Sequence, residues 1–284
     1  MKKSLITTAL LGFASAAISV STANAATIFT GPGDLILGFY ASSGTGSGST
    51  VEVDLGSATN YDNATPGKVI NLSGVNGLST LDLSTTYGAG FASDTSLQWG
   101  VAAGNAVTSI PGVPFDTVWV SDPEIHPGTL NTPWTTDVAL NQQTPSDAIE
   151  TINGGMNAMT STANSNVTEI VPASQGNSWA FQDDLNVPGS SFGYFVPTID
   201  NKITNTATSG TLSGFSLSDF YLLNPNAPVN SNGQLLGQFA LNATTGTFEF
   251  GLISEPSSIG LTGVGFLSLI GFVALRRRRS IMAA

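Results

Sequence analysis

Two apolar segments, one near each end of the chain, limit the residues that can form a water-soluble domain. Residues 5–20 and residues 257–275 are uncharged, mostly apolar runs, and basic residues stand close to each of them. Segments of this kind enter a membrane or are removed during export. The sequence therefore predicts an extracellular domain at residues 26–253, of a size that fits one large all-β domain or two small ones.

Residues 1–25 have the three-part pattern of a secretory signal peptide. Two lysines form the basic start, the apolar run follows, and Ala23 and Ala25 provide the small residues of a cleavage site ahead of Ala26. The pattern predicts export through Sec-type machinery and cleavage by signal peptidase. A buried N-terminal helix of a cytoplasmic protein is the alternative interpretation.

The C-terminal apolar run predicts a single transmembrane helix. Residues 257–275 comprise 19 uncharged residues. At about 1.5 Å per residue they reach roughly 28 Å, close to the hydrocarbon thickness of about 30 Å. Each arginine at the bilayer centre costs about 2.5–3.5 kcal/mol, so the cluster that follows halts translocation and stays in the cytoplasm. That cluster is Arg276, Arg277, Arg278 and Arg279. A permanent membrane anchor satisfies the same physics and stays open.

The order of features in residues 254–280 resembles the PEP-CTERM sorting signal of Gram-negative bacteria. A short motif, Ser254-Glu255-Pro256, precedes the glycine-containing apolar run and the arginines, where the family has Pro-Glu-Pro. The resemblance implies that an exosortase, a membrane protease-transpeptidase, recognises the tail while it anchors the chain transiently in the inner membrane. It also implies a final place at the cell surface, in the outer membrane or in the extracellular matrix, together with exopolysaccharide and biofilm.

The predicted domain carries a large negative charge. Between residues 27 and 253, Lys68 and Lys202 stand against 18 acidic residues, which gives a net charge of −16. Such a surface repels phosphate backbones, so nucleic acid is excluded as a partner. The chain has no cysteine, which excludes disulfides, thiolate nucleophiles and cysteine-bound zinc.

Short apolar or alternating runs predict a mainly β domain, with a β-sandwich as the expected architecture. The first two runs flank a Gly/Ser segment, which predicts a hairpin with a long mobile loop, and the last two are joined by a turn at residues 242–246. In the second run Glu52 and Asp54 alternate with apolar residues, which predicts both carboxylates on a solvent-facing side. The runs are residues 35–40, 50–55, 68–72, 97–102, 117–121, 235–241 and 247–252.

One short helix is predicted from Thr144 onwards. Thr144 suits the N-cap and Pro145 the first helical position, while Gly154 and Gly155 are expected to shorten or break the helix. We expect it to pack on a sheet edge. Its apolar residues at helical spacing are Ile149, Ile152, Met156 and Met159.

The domain also resembles a recurring group of PEP-CTERM ectodomains that has no assigned activity. The resemblance implies an exported β domain and nothing about chemistry. The residues that carry it are 33–40, 51–56, 99–101, 237–242 and 246–248.

Two groups of polar residues are candidates for chemistry. His126, the only histidine, could act as a base with Glu124 or Asp122, although a solvated loop histidine is the alternative. Asp183 and Asp184 could supply carboxylates to a calcium ion or to glycoside hydrolysis. Calcium is the only cofactor that this pattern suggests, and a chain without a cofactor is the first expectation.

The four tryptophans leave a further choice open, since they could pack in the core or form a platform on which sugar rings stack. We predict a non-enzymatic exported protein. A secreted polysaccharide hydrolase and a non-catalytic glycan-binding module are the alternatives. The tryptophans are Trp99, Trp119, Trp134 and Trp179.

Overall fold

The computed structural model describes residues 30–62, 69–72, 80–106, 110–127, 131–158, 168–183, 192, 195, 198–209 and 211–251. These ranges hold ten strands and three α-helices. The strands are β1 (Asp34–Ala41), β2 (Ser49–Ser57), β3 (Val69–Asn71), β4 (Leu97–Asn105), β5 (Thr117–Pro123), β6 (Thr168–Pro172), β7 (Asn201–Lys202), β8 (Ser216–Leu223), β9 (Gln234–Asn242) and β10 (Thr247–Gly251). The helices are α1 (Thr80–Tyr87), α2 (Ala139–Ala158) and α3 (Trp179–Asp183).

All ten strands belong to one antiparallel sheet. Its order is β3-β10-β9-β8-β5-β4-β1-β2-β6, and β7 pairs with β4 beside this path. The β1–β2 hairpin and the β9–β10 hairpin form as predicted, with Phe39 opposite Val51 and Phe250 opposite Phe239. The mainly β prediction is confirmed. Each predicted run lies on a strand, whereas β6, β7 and β8 were not predicted.

The sheet curls, so that strands far apart in its order meet across a common core. Trp99 on β4 and Phe248 on β10 are separated by three strands in the sheet, yet their ring centroids lie 5.9 Å apart. The Trp99 indole N–H also donates to Ser216 Oγ on β8 at 2.9 Å. Instead of two separate facing sheets, one curled sheet encloses this core.

Aromatic side chains from the C-terminal strands fill much of the concave side. Phe220, Phe239 and Phe250 are fully buried, and Tyr61 packs against all three at centroid distances of 5.0–6.3 Å. Burying one such side chain contributes roughly 1.5–3 kcal/mol. A cluster of this size explains how a chain without disulfides can hold a large β domain together.

Helix α2 covers the other side of the sheet, and two features of it differ from the prediction. It packs on the face of β4 and β5 rather than on an edge. It also begins at Ala139, with Pro145 inside it, because Asp137 Oδ1 accepts the Val138 N–H at 2.7 Å and Gln142 Oε1 accepts the Asp137 N–H at 2.9 Å. Capping upstream of Thr144 therefore replaces the predicted start. Met159 lies outside the described residues.

The two glycines in α2 do not break it, and they differ in their surroundings. Gly154 is exposed with open space around it, whereas a Cβ at Gly155 would lie 1.9 Å from Asn177 Nδ2 and 2.8 Å from Asn177 Cβ. The close approach of Asn177 thus explains why a residue without a side chain stands at position 155.

Gly154→Ala is expected to raise the free energy of unfolding by up to about 1 kcal/mol, because alanine favours the helix interior over glycine by about that amount. Gly155→Ala is expected to lower it, since Asn177 must move. Urea unfolding of the two variants measures the difference. An equal gain in both would show that Asn177 does not pack against the helix.

The predicted terminal signals lie outside the described part of the chain. Residues 1–25 and 254–284 are not among the described residues, so the cleavage site, the sorting motif and the predicted span stay predictions. Of the helices that are described, none combines the length and the apolar character needed to cross a membrane.

Candidate functional site

Seven acidic side chains of the described domain are more than nine-tenths buried, and they have almost no basic residues to pair with. The only lysine or arginine among the described residues is Lys202, which is exposed. Burial disfavours the charged form of a carboxyl group, so these groups depend on hydrogen bonds and on retained protons. They are Glu52, Asp54, Asp122, Glu124, Glu169, Asp200 and Asp219.

Glu52 and Asp54 correct the prediction that their carboxylates face solvent. Helix α3 covers this side of β2, and Glu52 Oε1 accepts the backbone N–H of Trp179 at 2.6 Å. Burial raises the pKa of Glu52 well above its usual range, while the Trp179 N–H opposes the shift and Glu169, opposite on β6, adds to it. Burial also raises the pKa of Asp54 to about 6 and that of Glu169 to about 7. Both faces of this strand are interior.

A second group of carboxyls holds α3 against the sheet. Asp183 accepts the Tyr40 hydroxyl at 2.5 Å, and Asp200 Oδ1 accepts the Trp179 indole N–H at 2.9 Å. Burial raises the pKa of Asp200 well above its usual range, and the Asp183 carboxyl, which shares a hydrogen bond with it, raises it further. The predicted partner of Asp183, Asp184, lies outside the described residues.

The described part of the chain contains no group of three or more His, Cys, Asp or Glu side chains that could hold a metal ion. The calcium hypothesis for Asp183 and Asp184 stays a prediction, because Asp184 lies outside the described residues.

The Trp179 indole lies on two glycines that face each other across β1 and β4. A Cβ at Gly38 would lie 2.0 Å from the indole Cδ2, and a Cβ at Gly100 would lie 2.4 Å from Asp200 Oδ1. Trp99, Trp119 and Trp179 are each fully buried, so three of the four tryptophans pack in the core.

Trp134 differs from the other tryptophans because it lines an open groove of about 370 Å³. Its indole N–H donates to the Ser121 carbonyl oxygen at 3.0 Å, and its ring packs edge-on against Phe195 at 5.3 Å. These contacts fix the plane of the indole. Other lining residues are Asp122, Ile125, Asn131, Thr132 and Thr198.

A hydrogen-bonded cluster of carboxyls lies beside this groove. Asp122 and Asp219 are opposite each other on β5 and β8. Asn131 joins them, since its Nδ2 donates to Asp122 Oδ1 at 3.2 Å and its backbone N–H donates to Asp219 Oδ2 at 3.3 Å. The Gln238 amide donates to Glu124 Oε1 and, at 3.4 Å, to Asp219 Oδ1.

Burial dominates the titration of this cluster. It raises the pKa of Asp122 to about 7; the hydrogen bond from Asn131 opposes the shift and the charge of Asp219 adds to it. Burial likewise raises the pKa of Asp219, against hydrogen bonds from Asn131, Gln238 and Glu124. Near neutral pH the Asp122 carboxyl therefore exchanges readily between its neutral and charged forms.

Comparison with known proteins does not place the chain in a family. No protein-family model matches it, and no curated protein or solved structure is detectably similar to it. The groove and the buried carboxyls are therefore interpreted from their own geometry.

The hypothesis that His126 acts as a base with Asp122 or Glu124 requires residues that differ in burial. His126 is exposed, whereas Asp122 and Glu124 are buried, which fits the solvated-loop alternative. Glycoside hydrolysis needs two carboxyls about 5–9.5 Å apart on either side of a substrate. Among the described lining residues Asp122 is the only acid, while Asp219 and Glu124 are fully buried.

Sequence reasoning missed Asp219, Asn131, Asp200 and Glu169 as members of these clusters. Asp219 is the only charged residue in the run Ser216–Leu223. A lone carboxylate within an apolar run is the signal that could have marked it, because such a group must find partners when the run is buried.

Proposed function

We propose that this chain is an exported protein of a Gram-negative bacterium, placed at the cell surface, in the outer membrane or in an exopolysaccharide matrix, where it acts without catalysis. Sec-type machinery and signal peptidase process its N-terminus, and an exosortase-like membrane protease-transpeptidase processes its tail. The observation that carries the proposal is the pair of terminal signals, at residues 1–25 and 254–280, around an acidic domain.

The described fold is compatible with this processing. Every described strand and helix lies between Thr30 and Gly251. Removal of residues 1–25 and of the chain beyond the motif Ser254-Glu255-Pro256 would therefore leave each of these elements intact. The mature extracellular protein would then consist of the β-rich domain alone.

A non-catalytic role is supported by the burial of the carboxyls. Asp219 and Glu124 are fully buried, so they do not face a substrate across the groove from Asp122. A glycan-binding module is the second candidate function, and the half-buried Trp134 favours it, because an accessible aromatic face suits the apolar face of a sugar ring.

The intact mass of the chain from the surface, membrane and medium fractions of its native host tests the proposal. We expect a mature chain that begins at Ala26 and ends within residues 254–256, without the apolar run and the arginines. Pro256→Ala is expected to keep the tail, whereas Pro111→Ala, at an exposed turn, is expected to be processed normally. A mass that extends to Ala284 in every fraction would leave a plain membrane anchor and refute tail processing.

A further inference from the structure

The groove beside Trp134 contains a buried carboxylate that is only partly satisfied. Asp122 lines the groove although only 7% of the residue is exposed. Its Oδ1 accepts a hydrogen bond from Asn131 Nδ2, while its Oδ2 is buried and has no hydrogen-bond partner among the described residues. Because the last torsion of an aspartate side chain is broad, a modest rotation can turn an oxygen towards the groove.

Acidic groups, and no basic side chain, lie around Asp122 in the described part of the chain. Asp219 faces it from β8, Glu124 follows it along the chain, and the hydroxyl-bearing Tyr221 lies near all three carboxyls. His126 and Lys202, the basic residues of the described chain, are both exposed. When the Asp122 carboxyl is ionised, it therefore has no basic side chain to pair with, which favours a ligand that brings positive charge.

The aromatic wall of the groove suits the same kind of ligand. Trp134 is held by Ser121 and Phe195 and lines the groove. A cation over an indole face gains about 0.5–2 kcal/mol, and the indole is the best of the aromatic rings in this role. Ile125, which is 67% exposed, adds apolar surface at the same groove.

We propose that this groove binds an organic ammonium ion, with the ammonium N–H groups donating to Asp122 and the apolar body of the ligand lying on Trp134. A metal ion fits less well, since no group of three or more metal-ligating side chains occurs in the described residues. A neutral ligand would leave the ionised Asp122 carboxylate without a counter-charge. The proposal is independent of how the chain is sorted.

Binding of an ammonium ion must be coupled to proton release. Burial raises the pKa of Asp122 to about 7, so below that pH the carboxyl is largely neutral and attracts a cation weakly. Above it, the carboxylate charge is available. Affinity for the ammonium ligand therefore rises as the pH increases from 6 to 8, while affinity for an uncharged analogue stays nearly constant.

Titration of the full chain, purified in mild detergent, with a matched pair of ligands tests the proposal. Cyclohexylamine is charged throughout this pH range, cyclohexanol is its neutral analogue, and glucose represents a neutral sugar. At pH 8 we expect cyclohexylamine to bind about tenfold more tightly than cyclohexanol, the effect of roughly one charge-assisted contact. Ligand-observed NMR measures the dissociation constants, and the ratio is expected to shrink towards pH 6.

Two variants with the same change in net charge distinguish an effect of Asp122 itself from an effect of the protein's overall negative charge. Asp122→Asn keeps an oxygen acceptor for Asn131 and removes a buried charge, so it is expected to fold and to lose the preference for the amine. Asp147→Asn, on the exposed side of α2, is expected to keep it. Near-ultraviolet circular dichroism checks the fold of both.

Three results would overturn the proposal. Equal binding of cyclohexylamine and cyclohexanol at pH 8, or tighter binding of glucose than of either, would indicate a neutral-ligand groove. A folded Asp122→Asn variant that keeps the preference would show that Asp122 is not the acceptor. An affinity for the amine that does not change between pH 6 and 8 would contradict the coupling to proton release.

Discussion

Gly38→Ala is expected to destabilise the domain by about 3 kcal/mol or more, because the added Cβ would lie 2.0 Å from the Trp179 indole. Trp179 cannot slide along the sheet, because its indole N–H donates to Asp200 and its backbone N–H donates to Glu52. The variant must lift α3 and uncover both buried carboxyls. Urea unfolding followed by tryptophan fluorescence measures the loss.

Gly48→Ala is the matched control, because Gly48 has open space around it and its backbone is not in the left-handed region. It is expected to change the free energy of unfolding by less than about 1 kcal/mol. A double variant of Gly38→Ala with Trp179→Leu is expected to lose less than the sum of the two single losses, since the clash is removed with the indole. If Gly38→Ala is as stable as Gly48→Ala, Trp179 does not lie on Gly38.

The stability of the domain is expected to fall as the pH rises from about 5 to 8. Burial raises the pKa of Asp54 to about 6, and those of Asp122 and Glu169 to about 7. In the unfolded chain these groups lose their protons near pH 4. Between these limits the folded state binds more protons than the unfolded state, so each increase in pH favours unfolding. The stabilisation is complete below pH 4 and is lost as the pH passes through 6 to 7.

The total loss is on the order of 3 kcal/mol, since one unit of pKa difference corresponds to about 1.4 kcal/mol and solvent screening reduces the sum. The urea midpoint measured at half-unit pH intervals gives the slope. A triple variant, Asp54→Asn, Asp122→Asn and Glu169→Gln, is expected to make the slope shallower, whereas Asp147→Asn is not. Stability that increases with pH over this range would show that these carboxyls are ionised in the folded protein.

The sequence predicted strands well where apolar alternation and turn residues agree. β1, β2, β9 and β10 have both signals, and the turn at residues 242–246 lies where the glycine at its end, with φ of 71°, allows the reversal. β8 follows a turn that ends at Gly214, but its serines and Asp219 obscure a run that is in fact buried on both sides.

The candidate site was harder to predict, because its members are far apart in the chain. Asp122 and Trp134 were both considered from the sequence, but for separate roles. Their groove also includes Thr198, and the neighbouring Asp219 comes beside Asp122 only through the pairing of β5 with β8, nearly a hundred residues later. Alternation assigned Glu52 to solvent because it reports which residues share a face, and not whether a helix such as α3 covers that face.

The pairing of β3 with β10 joins two strands that are far apart in the chain. Residues 69–71 find their sheet partner only at residues 247–251, at the far end of the described fold. Contacts this distant in sequence form slowly, since a long stretch of chain must be ordered to close them. For a chain exported as proposed, the sheet would stay incomplete during translocation, and its last pairing would form only when the segment just ahead of Ser254 had emerged. A chain cut a few residues too early would lose the strand that joins β9 to β3.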